Sequence, residues 1–200
     1  MFTDKLSKVR KLGRKIVLPA EQIKSIVMNK IPILEGQIID LGAGTQCWSV
    51  ELCNMYNQNV YAVDTFYSPD ENGKCSYSSG KVGVFTYNDY FDCISNKACA
   101  MLWVCDVIHH MDADFRSEFF NSLKMKRIRY IVIKDIDCRH SVGNFMNRLH
   151  DLVINRERIH DVNPLKIMKT LEDAGYKTEY FYVPKLWYPH FVLVASVAAG

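Results

Sequence analysis

The segment Ile38-Ile39-Asp40-Leu41-Gly42-Ala43-Gly44 constrains this chain more than any other. An apolar run that ends in an acid reads as a buried strand, and glycines at alternate positions after it read as a tight turn. Thr45-Gln46-Cys47-Trp48-Ser49 can then start a helix. Glycine has no Cβ, so such a turn lets bare backbone approach a ligand across the carboxyl end of a parallel sheet. Many α/β proteins share that much. A second apolar strand, Val60-Tyr61-Ala62-Val63-Asp64, narrows the reading. Its acid falls 24 residues after Asp40, near the spacing at which such folds set a carboxylate on a ribose. The turn is not the full three-glycine dinucleotide pattern, because Cys47 stands where that pattern has its last glycine.

Two hundred residues suit one domain with a substantial core. Apolar residues at 48% and charged residues at 24% are ordinary for a globular chain, and a net charge of +3 compels no nucleic-acid partner. The charge is uneven, however, for Lys5, Lys8, Arg10, Lys11, Arg14 and Lys15 crowd the first fifteen residues. Seven cysteines form no CxxC pair and fall mostly in apolar segments, so they read as buried reduced thiols. No apolar run reaches the length of a membrane span, and no signal-type apolar core follows the basic start. A soluble, cytoplasmic protein without a membrane partner is the expectation; the oligomeric state is not legible.

Read in order, residues 1–34 form a basic, helical segment expected to pack on a domain spanning 35–200. Within it, Leu6, Val9, Leu12, Ile16 and Val17 recur at near-helical spacing. Pro19 can open a second helix at its first position, with Ile23, Ile26, Val27 and Ile31 as the apolar stripe. Ser49 to Tyr56 is the first crossover helix, and residues 66–81 are polar and turn-forming. Val82 to Phe85 is a short third strand. Ala100 to Cys105 is a fourth, ending at Asp106. Asp112 can cap a helix carrying Phe115, Phe119 and Leu123. Arg129 to Lys134 is the fifth strand. A helix over 142–154 should turn Val142, Phe145, Met146, Leu149 and Val153 inward. Asn163-Pro164 caps another helix that Gly175 ends, before two closing strands over 177–183 and 191–196.

With the two acidic strand ends and the turn Asp106-Val107-Ile108-His109-His110-Met111, the chain resembles a class I S-adenosylmethionine-dependent methyltransferase over about residues 35–197. A nucleotide-binding or redox Rossmann domain is the other reading of the glycine turn. The resemblance implies a three-layer, Rossmann-like α/β fold: a seven-stranded sheet, mostly parallel, with an antiparallel last strand. It implies S-adenosylmethionine as cofactor and an acceptor for its methyl group. The cofactor site would comprise Asp40, Leu41, Gly42, Ala43 and Gly44 on the methionine side. Asp64 would hold the ribose, Asp89 would contact the adenine, and Cys105 would line the wall.

Methyl transfer from a sulfonium is an in-line displacement, so the chain must align an acceptor and, for a hydroxyl, remove a proton. No metal is required. Asp106, His109, His110, Lys134, Asp135 and Asp137 cluster at the ends of the fourth and fifth strands, and Asp106, Lys134, His109 and His110 are the catalytic candidates among them. Asp106 and Lys134 resemble two members of the Lys-Asp-Lys-Glu tetrad of ribose 2′-O-methyltransferases, and Trp48-Ser49 resembles part of that group's cofactor turn. A lysine partly desolvated beside a sulfonium can have a lowered pKa and act as base. Lys11 or Lys15 would supply the first lysine, while His190 stands where that group has its glutamate. That reading favours an RNA ribose acceptor. The alternative is a small-molecule O- or N-methyltransferase with His109 or His110 as base. Two further readings are a divalent ion held by Asp106, His109, His110 and either His140 or His190, and a catalytically silent scaffold.

Overall fold

The computed structural model describes residues 18–65, 82–86, 99–124, 128–150, 152 and 159–197. Its strands are β1 (Gln37–Leu41), β2 (Val60–Asp64), β3 (Val82–Thr86), β4 (Cys99–Cys105), β5 (Tyr130–Ile136), β6 (Tyr176–Tyr182) and β7 (His190–Val197). They form one seven-stranded sheet in the order β3-β2-β1-β4-β5-β7-β6. Strands β1 to β5 pair in parallel, and β7 runs antiparallel between β5 and β6. The expected α/β architecture is therefore present, with the reversed last strand inserted between its neighbours.

The apolar runs of β1, β4 and β5 are continuous because both faces of the sheet are covered. Alternate side chains serve opposite layers. Ile39, Leu102, Val104, Ile131 and Ile133 pack with Phe119 and Leu123 of helix α3 (Ala113–Lys124) and with Ile167 and Leu171 of α5 (Pro164–Glu172). Ile38, Met101, Trp103 and Val132 face the other way, onto α1 (Ala20–Lys30) and α2 (Cys47–Tyr56). Ile23, Val27 and Ile31 of the first apolar stripe are fully buried there. Pro19 sits one residue earlier than expected, as the cap before α1. Asp112 caps α3 as expected, its Oδ1 accepting the Phe115 N–H at 2.8 Å. Asn163 does the same for α5, accepting from Leu165 N–H at 3.0 Å.

Two expectations are corrected. Strand β5 runs two residues past Lys134, because its antiparallel partner carries the pairing on to Ile136 opposite His190. Lys134 and Asp135 thus lie inside a strand and project to opposite faces. Helix α4 (Ser141–His150) forms where expected, but Val142, Phe145 and Leu149 face solvent. The reason is Gly143. A Cβ there would lie 2.4 Å from the Trp187 carbonyl oxygen and 2.6 Å from Pro189 Cδ. The helix therefore presses its glycine, and not its bulky stripe, against the loop before β7. Val153 lies outside the described residues. No helix among the described residues is long and apolar enough to cross a membrane.

Gly143→Ala tests this seating. Helix propensity alone favours alanine by up to about 1 kcal/mol, whereas the contact with backbone should cost about 1–3 kcal/mol. The urea midpoint is expected to fall. A raised midpoint would mean that the helix rests elsewhere.

Candidate active site

The carboxyl ends of β1 and β4 meet at a cleft lined by Asp40, Gly42, Ala43, Cys47, Trp48, Cys105, Asp106 and Leu18. Its floor is the glycine turn. Gly42 adopts φ +69°, and a Cβ added to it would fall 2.2 Å from Val107 Cγ2. Only glycine lets this turn lie against the turn after β4. Gly42 and Ala43 donate their N–H groups to the Val63 carbonyl at 2.8 and 3.2 Å, which ties the turn to β2. Gly44 N–H donates to Asp64 Oδ2 at 2.8 Å. Asp64 thus braces the turn as well as standing at the tip of β2.

Asp40 is 1% exposed, and Ser49 Oγ–H donates to its Oδ2 at 2.5 Å. Burial pushes the Asp40 carboxyl up to about 7; the Ser49 hydrogen bond opposes this, and the nearby Asp64 charge adds to it. Trp48 packs over Trp103 with ring centroids 4.8 Å apart, which joins the cleft wall to the core.

The second part of the site lies at β4 and β5. Asp106 has φ +57°, a left-handed conformation for a non-glycine residue. Its backbone N–H donates to the Lys134 carbonyl at 2.9 Å, and Lys134 Nζ donates to its Oδ1 at 2.5 Å. Lys134 is 1% exposed, while about a quarter of the Asp106 side chain meets solvent. Burial would raise the Asp106 carboxyl, but the Lys134 ammonium, with His109 and His190 behind it, holds it well below the usual carboxylate range. For Lys134, burial pulls the pKa down, and the Asp106 carboxylate more than restores it, so the net shift is upward. This reverses the lowered pKa expected from the sequence: before any ligand arrives, Lys134 is an ammonium.

On the opposite face of β5, Asp135 is fully buried and accepts three N–H groups. Ile136 N–H donates to Oδ1 at 2.7 Å, His109 N–H to Oδ2 at 3.2 Å, and His109 Nδ1 lies 2.6 Å from Oδ1. A carboxylate accepting backbone donors on both oxygens makes Nδ1 the donor and leaves Nε2 as the basic imidazole nitrogen. One ligand atom each of Asp106, His109 and Asp135 lie within 4.8 Å of one another. The cluster differs from the set considered for a divalent ion. Asp135 takes part, whereas His110 is exposed and stacks on His109 with centroids 4.1 Å apart. Its acids are already matched internally, by the Lys134 ammonium and by the His109 N–H groups.

Of the anticipated residues, the fold gathers Asp40, Gly42, Ala43, Cys105 and Asp106 at one cleft. It buries the Leu41 side chain in the core, so that residue offers only backbone. Cys47 is exposed, contrary to the expectation of buried thiols. His190 is buried at the first position of β7, stacked on Tyr188 at 5.7 Å. His140 lies apart, stacked on Tyr182 at 4.4 Å. Asp89, Lys11 and Lys15 lie outside the described residues. Sequence reasoning missed Ser49 as the partner of Asp40, and it placed Asp135 in the cluster beside Lys134 without seeing it as the partner of His109. Strand alternation was the signal for that pairing, since neighbours in a strand cannot both face the cleft.

The Asp40 environment sets a pH dependence. Its folded pKa, about 7, lies above the usual aspartate value of 3.8, so the folded state holds that proton more tightly. The contribution is fully present below the unfolded pKa and is lost as pH rises to 7, by up to roughly 4 kcal/mol in the fully buried limit. Chemical unfolding at pH 5 and pH 8 should therefore show less pH-dependent loss for Asp40→Asn than for the parent chain. Equal slopes would place the titration elsewhere.

No protein-family model matches the chain, and no curated protein matches it in sequence. Solved structures do match. An S-adenosylmethionine-dependent methyltransferase from Archaeoglobus fulgidus superposes with a TM-score of 0.64 at 16% identity, covering 94% of this chain and 99% of that one. The 1,6-didemethyltoxoflavin-N1-methyltransferase of Burkholderia thailandensis gives 0.65 at 13% identity, over 99% and 86%. The methyltransferase domain of the bacterial protein CtHen1-C gives 0.61 at 16% identity, over 90% and 96%. At such identities the likeness is one of architecture, and on that ground the chain has the fold of the class I S-adenosylmethionine-dependent methyltransferases.

Proposed function

We propose that this chain is an enzyme that transfers the methyl group of S-adenosylmethionine to a hydroxyl of an acceptor held beside β4 and β5. The observation that carries the reading is Asp106. It opens into the same cleft as Asp40 and the glycine turn, and it is paired to the buried Lys134. In this reading the turn and Asp40 receive the methionine end of the cofactor, and Asp64 receives the ribose. Asp106 places its negative charge near the sulfonium. Lys134, sealed behind Asp106 as an ammonium, keeps that carboxylate ionised and in place. His109 takes that proton on Nε2, oriented by Asp135. The acceptor oxygen bonds the methyl carbon as the carbon–sulfur bond breaks, which leaves the neutral thioether.

A small acceptor is the preferred reading, because solved neighbours of the same fold include methyltransferases named for small molecules. One of them, the 1,6-didemethyltoxoflavin-N1-methyltransferase, was solved with bound 1,6-didemethyltoxoflavin and S-adenosylhomocysteine. A second reading, ribose 2′-O-methylation of RNA, rests on the Lys134–Asp106 pair. There Lys134 itself is the base, and a sulfonium arriving beside Asp106 would have to lower its pKa. Residues Lys11, Lys15 and His190 would bind the RNA.

Radiolabelled methyl transfer to capped RNA, uncapped RNA and a small-metabolite extract separates the acceptors. Label in RNA alone would overturn the preference for a small acceptor. Lys134→Ala and His109→Ala should each lower turnover at least a hundredfold while cofactor affinity stays within a few-fold. Unchanged turnover in either variant removes that residue from the mechanism. Asp64→Ala should weaken cofactor binding by about 1.5–3 kcal/mol, the scale of hydrogen bonds to a charged group; calorimetry reads it. Absence of any binding by the parent chain would favour the silent scaffold.

A further inference from the structure

The turn that carries His109 is too short to hold itself. Ile108–His110 is a single 3-10 turn, with His110 N–H donating to the Val107 carbonyl at 3.0 Å and Met111 N–H to the Ile108 carbonyl at 3.1 Å. Such bonds are less well aligned than those of an α-helix, and one turn is a weak nucleus. The 2.6 Å contact between His109 Nδ1 and Asp135 nevertheless needs this turn at one fixed height beside β5. Arg116, in the first turn of α3, reaches back to it. Its Nη2 donates to the Ile108 carbonyl at 3.1 Å and to the Met111 carbonyl at 3.0 Å, so one nitrogen closes on both sides of the histidine pair. Its Nη1 donates to the Asp161 carbonyl at 2.8 Å. Asp161 lies in the segment 159–163 that leads into α5, and that segment returns the contact: His160 N–H donates to the His109 carbonyl at 2.7 Å. The Asp161 carboxylate in turn accepts from Asn144 and Arg148 of α4, at 2.8 and 2.6 Å. One guanidinium therefore joins the histidine turn to a segment that α4 grips.

We propose that Arg116 is a positioning residue for methyl transfer, its guanidinium fork fixing the turn from which His109 meets the acceptor; this rests on His109 being the base. The partners of Arg116 set it apart. Arg139 and Arg148 each pair with an acid, whereas Arg116 forms no ion pair among the described residues and gives its donors to three carbonyls. Its side chain is half-buried, and Nε is buried with no hydrogen-bond partner among the described residues. Drawing a guanidinium out of water for neutral acceptors alone gains little stability. What it does gain is geometry, because the fork is planar and pre-organised. A lysine offers one point donor and cannot span carbonyls from two segments in the same way. Burial lowers the guanidinium pKa, and the Asp135 carboxylate is the foremost charge opposing that. Arg116 thus also brings positive charge to bear on the acid that orients His109.

The test reads the imidazole itself, by NMR of the full chain labelled with nitrogen-15 at histidine. The His109 signals are those lost in His109→Gln. In the parent chain they should show the Nδ1-protonated tautomer, with slow exchange of that proton. Arg116→Ala should speed the exchange at least tenfold. Millimolar guanidinium should restore the parent rate, and methylammonium at the same concentration should not. Arg116→Lys, which keeps the stem and the charge, should also exchange at least tenfold faster, and it carries the test if the alanine variant does not fold. Parent-like exchange in either folded variant overturns the proposal, as does equal rescue by methylammonium. Radiolabelled transfer from S-adenosylmethionine to the metabolite extract supplies the second readout. Arg116→Ala should lower kcat at least tenfold while cofactor affinity stays within two-fold, because Arg116 touches the turn and not the cleft. Unchanged kcat alongside an inactive His109→Gln overturns the proposal. Full turnover in His109→Gln would instead remove His109 as the base, and with it the role proposed here for Arg116 in the reaction, whatever the exchange rates show of the turn.

Discussion

Two turns touch at one point, and the site follows from that contact. The methyl group of Val107 occupies the space where a side chain on Gly42 would begin. Neither turn can move outward without opening a void, and neither can move inward. Because Gly42 ends β1 and Val107 follows β4, their contact sets the distance between the tips of two adjacent parallel strands. Asp40 and Asp106 then flank one cleft without having to reach for each other. The tie from Gly42 and Ala43 to the Val63 carbonyl extends the same constraint to β2, and Gly44 on Asp64 extends it to that strand's last residue. A few backbone N–H groups and one missing Cβ thus position three carboxylates.

Strand β5 separates the remaining charges by the simplest rule of strand geometry. Lys134 and Asp135 are consecutive, so they lie on opposite faces of the sheet. One meets Asp106 on the cleft side, and the other meets His109 on the opposite face. Had β5 ended at Lys134, Asp135 would have been in a loop with water for a partner. Its burial depends on β7, whose antiparallel pairing continues to His190. The inserted last strand therefore contributes to the site as well as to the edge of the sheet.

Much of this is legible in the residues alone. The acid-terminated apolar runs read as strands covered on both faces, and the glycines after the first of them as a turn. The caps at Asp112 and Asn163 follow from local hydrogen bonding, which a sequence displays directly. What failed depended on contacts between distant segments. Helix α4 has the period of an inward-facing helix, and nothing local says that Gly143 and not Phe145 will meet Pro189. The Lys134 pKa failed for the same reason. A buried lysine falls or rises according to its nearest charge, and the 2.5 Å contact with Asp106 is a tertiary fact. Ser49 on Asp40 needed the turn closed before the two could be seen as partners.

The Lys134–Asp106 pair makes its strongest case by its cost. Transferring an ammonium and a carboxylate out of water typically costs several kcal/mol per ion after relaxation, and an apolar pair of similar volume is often as stable or more so. Stability alone gives no reason to keep such a pair under a core containing Trp103 and Val132. Asp106 adds a left-handed backbone, which for a non-glycine residue brings its own strain. The burial is also asymmetric: Lys134 is sealed in, while Asp106 keeps part of its carboxylate open to the cleft. A pair built only to hold strands together has no use for an open end. An open carboxylate, kept ionised by a lysine behind it, places fixed negative charge where a cationic ligand would arrive, with no reorganisation needed at that moment.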